Sequence, residues 1–253
     1  MLLAIDIGNT RTNFGLFDSL ELTASYRVAS RQDLTSPEAI AAFTLFLQSK
    51  GWQPSLIDSC IISSVVPHLT RVYQDLCAEL FHFEPKILGP GLRSGLKVVT
   101  DNPKEVGADM IAAAVAAKHK YGDSCLVADF GTATKVFLLD NQAAFAGCTI
   151  GAGLGLQSRS LSSGAALLPE ISPQIPPHFL GKNTNDSMNS ALTYGNAFAV
   201  KCLCDGIEKE AGYPCKRVLT GGYSVFVKEL FPEFAYEPNL VLLGLAYIAE
   251  RNA

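Results

Sequence analysis

LLAIDIGNTRTNFGLFD occupies residues 2–18, and CLVADFGTATKVFLLD occupies residues 125–140. The two stretches share one grammar. An apolar run delivers an aspartate (Asp6, Asp129), and a glycine follows two residues later (Gly8, Gly131). A short polar turn intervenes, Asn9 and Thr10 in the first copy and Thr132, Ala133 and Thr134 in the second. A second apolar run then closes on another aspartate (Asp18, Asp140). Apolar runs punctuated by Gly and small polar residues read as strand–turn–strand units. The same unit met twice predicts a duplicated domain, divided as 1–118 and 119–253. The unit is also a phosphate-handling device. Its glycine lets the backbone approach an anion closely. Its turn aims N–H groups and hydroxyls at phosphate oxygens. Its aspartate holds a metal ion or a metal-bound water. Two such units would clamp a nucleoside triphosphate.

Composition agrees with a folded protein. Hydrophobic residues make up 48% of the chain and charged residues 17%, enough to build cores and too apolar for disorder. Net charge is −4 with the basic residues scattered, which argues against a nucleic-acid partner. Met1 leads straight into an apolar strand with no basic segment before it, so no signal peptide is expected. No apolar run has the length of a membrane span. The seven cysteines include no C-x-x-C pair and no zinc-like spacing with histidine. They read as reduced, mostly buried thiols of a cytoplasmic protein.

Working outward, three consecutive strands are expected at 2–7, 13–17 and 22–28, then a helix at 37–48 and a buried strand at 59–65. An amphipathic helix at 67–80 and an edge strand at 85–88 precede an irregular stretch, 89–101. A long helix is expected at 104–120, with Asp101, Asn102 and Pro103 as its start signal. The second half repeats the three strands at 125–129, 134–139 and 144–150. A glycine bend (Gly151, Gly153, Gly155), a helix to 166 and a Pro-rich extended loop at 168–182 follow. Then come the longest helix (185–211), a strand at 217–219 and a closing helix at 239–250. The pattern predicts an α/β protein of duplicated actin-like (ribonuclease-H-like) domains, each a mixed sheet flanked by helices.

Two carboxylates stand out for chemistry. Asp6 ends a buried strand, where a charge is costly unless it binds something. It either caps its hairpin or holds Mg²⁺ near the terminal phosphates. Asn9, Thr10, Thr12 and Asn13 would supply donors to phosphate; Arg11 either reaches a phosphate or points to solvent. Asp109 opens an Ala-rich helix in NPKEVGADMIAAAVAAK, residues 102–118. It is either a helix-start aspartate favoured by the dipole or a general base for a substrate hydroxyl. Phosphoryl transfer needs mainly alignment and charge neutralisation, so one carboxylate at the acceptor and one at the donor suffice. The run Gly151, Gly153, Gly155 does not follow the dinucleotide fingerprint and is weak on its own. Gly221-Gly222 suits a turn beneath an adenine or ribose, or simply a tight strand-to-helix turn. Thr184 starts a helix and reads equally as a plain N-cap.

Taken together the motifs resemble the type III pantothenate kinase family. DIGNTRTNFGLFD resembles its first phosphate motif, NPKEVGAD its substrate motif and DFGTAT its third motif. GKNTNDSMNSALTYG and GLAYIAERN also match in register, so the likeness covers nearly the whole chain. The resemblance implies ATP-dependent phosphorylation of pantothenate to 4′-phosphopantothenate at the start of coenzyme A biosynthesis, with Mg²⁺ and a monovalent cation (K⁺ or NH₄⁺). It implies that residues 6–13 bind the ATP phosphates, that Gly131 and Thr132 contact ATP, and that Asp109 accepts the proton. Gly107 and Ala108 would contact substrate through backbone, Thr184 would contact it at a homodimer interface, and Asp129 would ligate potassium. The family's G-G-x-I-x-P-G appears here as Gly147-Cys148-Thr149-Ile150-Gly151-Ala152-Gly153, and four further positions depart from the family pattern. Met110 stands where an arginine belongs, Thr100 where a tyrosine is usual, and Lys135 and Phe137 replace a Thr and an Asp of the third motif. Loss of that arginine would remove a charge-assisted hydrogen bond of about 1.5–3 kcal/mol from substrate binding. The departures leave two further readings open: a kinase of the same fold for another small hydroxyl acceptor, or a weakly catalytic nucleotide-binding regulator.

Overall fold

The computed structural model describes residues 1–253. The opening stretch forms an antiparallel meander: β1 (Leu2–Ile7), β2 (Arg11–Asp18) and β3 (Glu21–Ala29). Helix α1 (Ser36–Ser49) crosses to β4 (Ser59–Ser64), which lies parallel to β1. Helix α2 (Pro67–Phe81) then leads to the short edge strand β5 (Lys86–Ile87). Helix α3 (Ala108–Tyr121) connects to a second meander: β6 (Cys125–Phe130), β7 (Ala133–Leu139) and β8 (Phe145–Ala152). Helices α4 (Leu154–Gly164), α5 (Thr184–Ser190) and α6 (Asn196–Ala211) precede β9 (Lys216–Thr220), which lies parallel to β6. Strand β10 (Ala235–Tyr236), too short to be legible in sequence, pairs with β9, and α7 (Leu240–Arg251) closes the chain.

The first sheet runs β3-β2-β1-β4-β5 and the second β8-β7-β6-β9-β10. Element for element these are one topology, the duplicated actin-like arrangement. The chain divides into two compact units, Met1–Leu96 with Asn102–Ala116 and Val241–Ala253, and Lys97–Asp101 with Ala117–Leu240. The closing helix therefore belongs with the first unit, whereas a single cut at 118/119 would put it in the second. Its physical reason is burial: Leu242, Leu245, Ala246, Ile248 and Ala249 complete the apolar layer of the first sheet.

Strand alternation sorts the first unit into two layers. Leu3, Ile5, Ile7, Phe14 and Leu16 face α1 and α2, where Phe43, Phe46, Leu69, Tyr73 and Leu76 fill the core. Ala4, Phe17 and Ile61 face the other way, onto α3 and α7. Asp6 has the parity of Ala4, so it shares the α3 side of the sheet. In the second unit Leu126, Ala128, Phe130 and Val136 pack with Leu154, Ala197, Val200 and Cys204. All seven cysteines are unpaired, and Cys148 and Cys202 are exposed. Burial pushes the Cys204 thiol up to about 12 and that of Cys125 to about 11, which leaves both unreactive at neutral pH.

Two helices differ from their sequence expectation. The stretch expected as one helix from 104 begins as a single 3₁₀ turn (Pro103–Glu105), where the Asn102 amide donates to Glu105 at 2.7 Å. The chain then breaks at Val106 and Gly107, and α3 starts only at Ala108. The long helix of the second half contains a π-helical turn (Ala191–Gly195) between α5 and α6. The Asn196 amide donates to the Leu192 carbonyl at 2.9 Å and pairs with Gln157 of α4, which holds the widened turn open. The Pro-rich stretch is an extended strap. It is stapled by polar groups: buried Ser158 to Ile171, buried Asn189 to the Gln174 amide, and the half-buried Tyr194, whose hydroxyl donates to the Pro176 carbonyl.

Candidate active site

The first hairpin is closed by the Gly8 amide, which donates to the Arg11 carbonyl at 3.0 Å across the Asn9-Thr10 turn. A β-carbon on Gly8 would sit 3.1 Å from that carbonyl, a closer approach than side chains usually make, so a side chain at residue 8 would crowd the turn. Register places Asn13 opposite Asp6 and Arg27 opposite Asn13. The contacts follow the register. Arg27 Nε donates to Asn13 Oδ1 at 2.7 Å, and Asn13 Nδ2 donates to Asp6 Oδ2 at 3.1 Å. On the other flank of Asp6 lies Ser63 of β4, fully buried, its hydroxyl without a hydrogen-bond partner. One row across four strands, Arg27, Asn13, Asp6 and Ser63, thus presents a carboxylate fixed by a neutral amide. Sequence reading missed Arg27 and Ser63, because neither is near Asp6 in the chain.

Asn9 is exposed, and Gly8, Thr10 and Arg11 are half-buried, so the turn is accessible. Thr12 is different. It lies on the opposite face of β2, is fully buried, and its hydroxyl shares a hydrogen bond with Ser30 at 2.9 Å. It belongs to the core beside α2 and is not presented at the turn, a correction that strand alternation explains.

Asp109 sits in the first turn of α3, half-buried, and Ala108 packs against the apolar layer that covers the Ala4 face of the sheet. Asp6 and Asp109 therefore share one side of the first unit. The Asp109 carboxylate folds back over Gly107: a β-carbon there would stand 2.5 Å from Oδ1. Gly107→Ala is thus expected to swing the carboxylate aside. Because misplacing a reacting group by about 1 Å can cost 10²-fold in rate, we expect kcat to fall by about that factor. Thermal melting should change little, as residue 107 has no left-handed φ and tolerates Ala. Steady-state kinetics beside a melting curve checks both. Met110, in the arginine position, is 7% exposed and fills space instead of offering donors. Thr100 is half-buried, with a buried hydroxyl that has no partner.

The second hairpin is built alike. The Gly131 amide donates to the Ala133 carbonyl at 3.1 Å, and Thr132 is exposed at the turn. The glycine bend that looked weak in sequence braces this turn. The Gly153 amide donates to the Thr132 carbonyl, and a β-carbon on Gly153 would lie 2.4 Å from the carbonyls of Gly131 and Thr132. Gly221, with φ of +98°, closes in from β9; its β-carbon would lie 2.4 Å from Asp129 Oδ1. Register sets Lys135 opposite Asp129, and its ammonium is 2.9 Å from Asp129 Oδ2. Lys135 therefore points to the face of the sheet that carries the Asp129 carboxylate. Thr184 is the first residue of α5 and is exposed. The cap is Asn183, whose side chain accepts from the Asp186 amide at 2.8 Å.

Three comparisons bear on this arrangement. The family profile for type III pantothenate kinase matches residues 2–206. The chain is similar to a protein named type III pantothenate kinase from Thermomicrobium roseum, 37% identical over 252 residues, covering 99% of this chain and 97% of that one. It is similar to another of the same name from Geobacillus sp. (strain WCH70), 35% identical over 253 residues, covering 100% of this chain and 98% of its relative. Among solved structures, a Baf family transcriptional activator from Campylobacter jejuni matches with a TM-score of 0.60 at 20% identity, covering 99% of this chain and 98% of that chain. At that identity the structural likeness speaks for the fold alone.

Proposed function

We propose that this chain, which belongs to the type III pantothenate kinase family, transfers the γ-phosphoryl group of ATP to the primary hydroxyl of pantothenate, giving 4′-phosphopantothenate and ADP. It is a phosphotransferase acting on an alcohol. The observation that carries the residue assignment is the placement of two carboxylates on one side of the first unit. Asp6 stands at a tight phosphate-type hairpin, and Asp109 leans over Gly107 at the start of α3.

We assign the roles from that placement together with the family motifs. Backbone N–H groups and side chains of Gly8, Asn9, Thr10 and Arg11 orient the phosphates; in the second unit Gly131 and Thr132 do the same. Asn13, held by Arg27, fixes the rotamer of Asp6. Asp109 accepts the hydroxyl proton as the new O–P bond forms and the bond to the bridging oxygen of ADP breaks. Gly107 and Ala108 bring backbone close to the acceptor, and Thr184 adds a polar contact. Asp6 suits Mg²⁺, a hard cation that needs only one or two carboxylates beside phosphate and water oxygens. When bound, Mg²⁺ neutralises charge on the transferring phosphates. The monovalent cation implied at Asp129 does not suit the residues present, since the Lys135 ammonium already lies on that carboxylate.

We also assign a homodimer. Phe179, Tyr194 and Phe198 form a stack of rings with centroids 4.2–6.4 Å apart, and Phe179 and Phe198 are exposed. Such a patch is unusual on a surface that meets only water, and the Phe179 carbonyl is tied by Ser190 to the helix that Thr184 begins. No helix is long and apolar enough to cross a membrane, and a cytoplasmic kinase fits the unpaired cysteines.

The deciding experiment is ADP release by the purified protein with ATP and Mg²⁺, with and without pantothenate. Pantothenate-dependent release is the expected result. ATP binding with no stimulation by pantothenate would refute the substrate and leave a different hydroxyl acceptor or a regulatory role.

A further inference from the structure

The duplicated hairpins differ at the position that meets the aspartate. In the first unit the strand partner of Asp6 is Asn13, a neutral amide at 3.1 Å. In the second unit the strand partner of Asp129 is Lys135, an ammonium at 2.9 Å. The Lys135 and Asp129 side chains are only 13% and 12% exposed, so water screens the pair poorly. Glycines enclose the rest of the carboxylate. The β-carbon positions of Gly221 and Gly131 lie 2.4 Å and 3.5 Å from Oδ1, which leaves the carboxylate close to backbone on two sides. The neighbouring strand residue, Thr220, is buried as well. Two residues beyond Lys135 on the same face, Phe137 is fully buried and stacks on Phe145 at 5.4 Å, so β7 supplies no second carboxylate there. A potassium ion entering this site would meet a fixed like charge within hydrogen-bonding range of its ligand.

We infer that Lys135 is a tethered cation that takes the place of a monovalent metal ion at Asp129, so that the second phosphate hairpin is charge-balanced without potassium. Lys135 is a positioning residue. It holds the Asp129 carboxylate and, through it, the Gly131-Thr132 turn. The geometry stands independently of substrate, while the consequence for turnover rests on the kinase reading above.

The test compares choline, sodium and potassium salts of equal ionic strength on wild type, Lys135→Met and Lys135→Arg. Two readouts are used: melting temperature, and ADP release with pantothenate. For wild type, potassium should leave the melting temperature unmoved beyond the choline control and change the rate by less than about threefold. Lys135→Met strips the charge but keeps the stem. It should melt several degrees lower, lose at least about tenfold in rate in choline, and recover in part with potassium or ammonium. Lys135→Arg should stay potassium-independent. A wild-type rate that rises more than about tenfold with potassium, or a potassium-specific rise in its melting temperature, would overturn the inference. So would Lys135→Met running at the wild-type rate in choline. The wild-type titration decides even if Lys135→Met does not fold. Absence of pantothenate-dependent ADP release would count against the kinase reading and leave the melting titration as the judge of the Lys135 site.

Discussion

Asp109→Asn should lower kcat by about 10²–10⁴-fold, the usual contribution of a positioned general base, while leaving the Kd for ATP nearly unchanged. The substitution keeps the shape of the side chain and its place over Gly107, so the acceptor pocket should persist. The competing role for this residue predicts something else. An aspartate that merely favours the helix start contributes about 0.3–1 kcal/mol through the dipole. Its loss would then appear as a small drop in melting temperature with the rate intact. Single-turnover kinetics, calorimetric ATP binding and a melting curve on one preparation separate the two. A mutant at wild-type speed would remove Asp109 from the mechanism.

Gly244→Ala should destabilise the protein by about 1–3 kcal/mol. Helix propensity alone says the opposite, because Ala in place of Gly inside a helix is worth about 0.5–1 kcal/mol of stabilisation. Contact geometry decides the sign. A β-carbon on Gly244 of α7 would lie 1.7 Å from the Ala112 carbonyl of α3 and 2.4 Å from its carbonyl carbon. Both are backbone atoms, so no rotamer relieves the overlap and the two helices must separate. Separation would also disturb α3 near Asp109, so kcat should fall with the melting temperature. Thermal denaturation with and without ATP measures the effect; a melting temperature at or above wild type would show that α7 shifts at no cost.

The sites differ in how far they could be read. Asp6, Gly8, Asn9 and Thr10 are legible as one turn because a tight hairpin joins only a few consecutive residues. Asp109 was legible as a lone carboxylate opening an Ala-rich helix, although the break at Val106 and Gly107 that lets it lean back was not. Thr12 misled because alternation along β2 points it into the core, where Ser30 takes its hydroxyl. Asn183 hid behind Thr184 because both residue types cap helices, and only the bond to the Asp186 amide shows which one does.

By itself the sequence determined the architecture. Apolar periodicity, Gly and Pro punctuation and the repeated Asp-x-Gly hairpin are local signals, and two copies of them imply two sheets of one topology. The family motifs added the reaction, and they single out Asp109 as the proposed proton acceptor. Tertiary structure alone decided the relations between residues remote in the chain: Arg27 bracing Asn13, Ser63 flanking Asp6, Gly221 pressing on Asp129, and α7 returning to the first unit. It also decided that Lys135 points at Asp129. A strand sequence specifies that alternate side chains share a face, but which face meets a given neighbour depends on register, and register is set by the pairing of strands in the folded sheet.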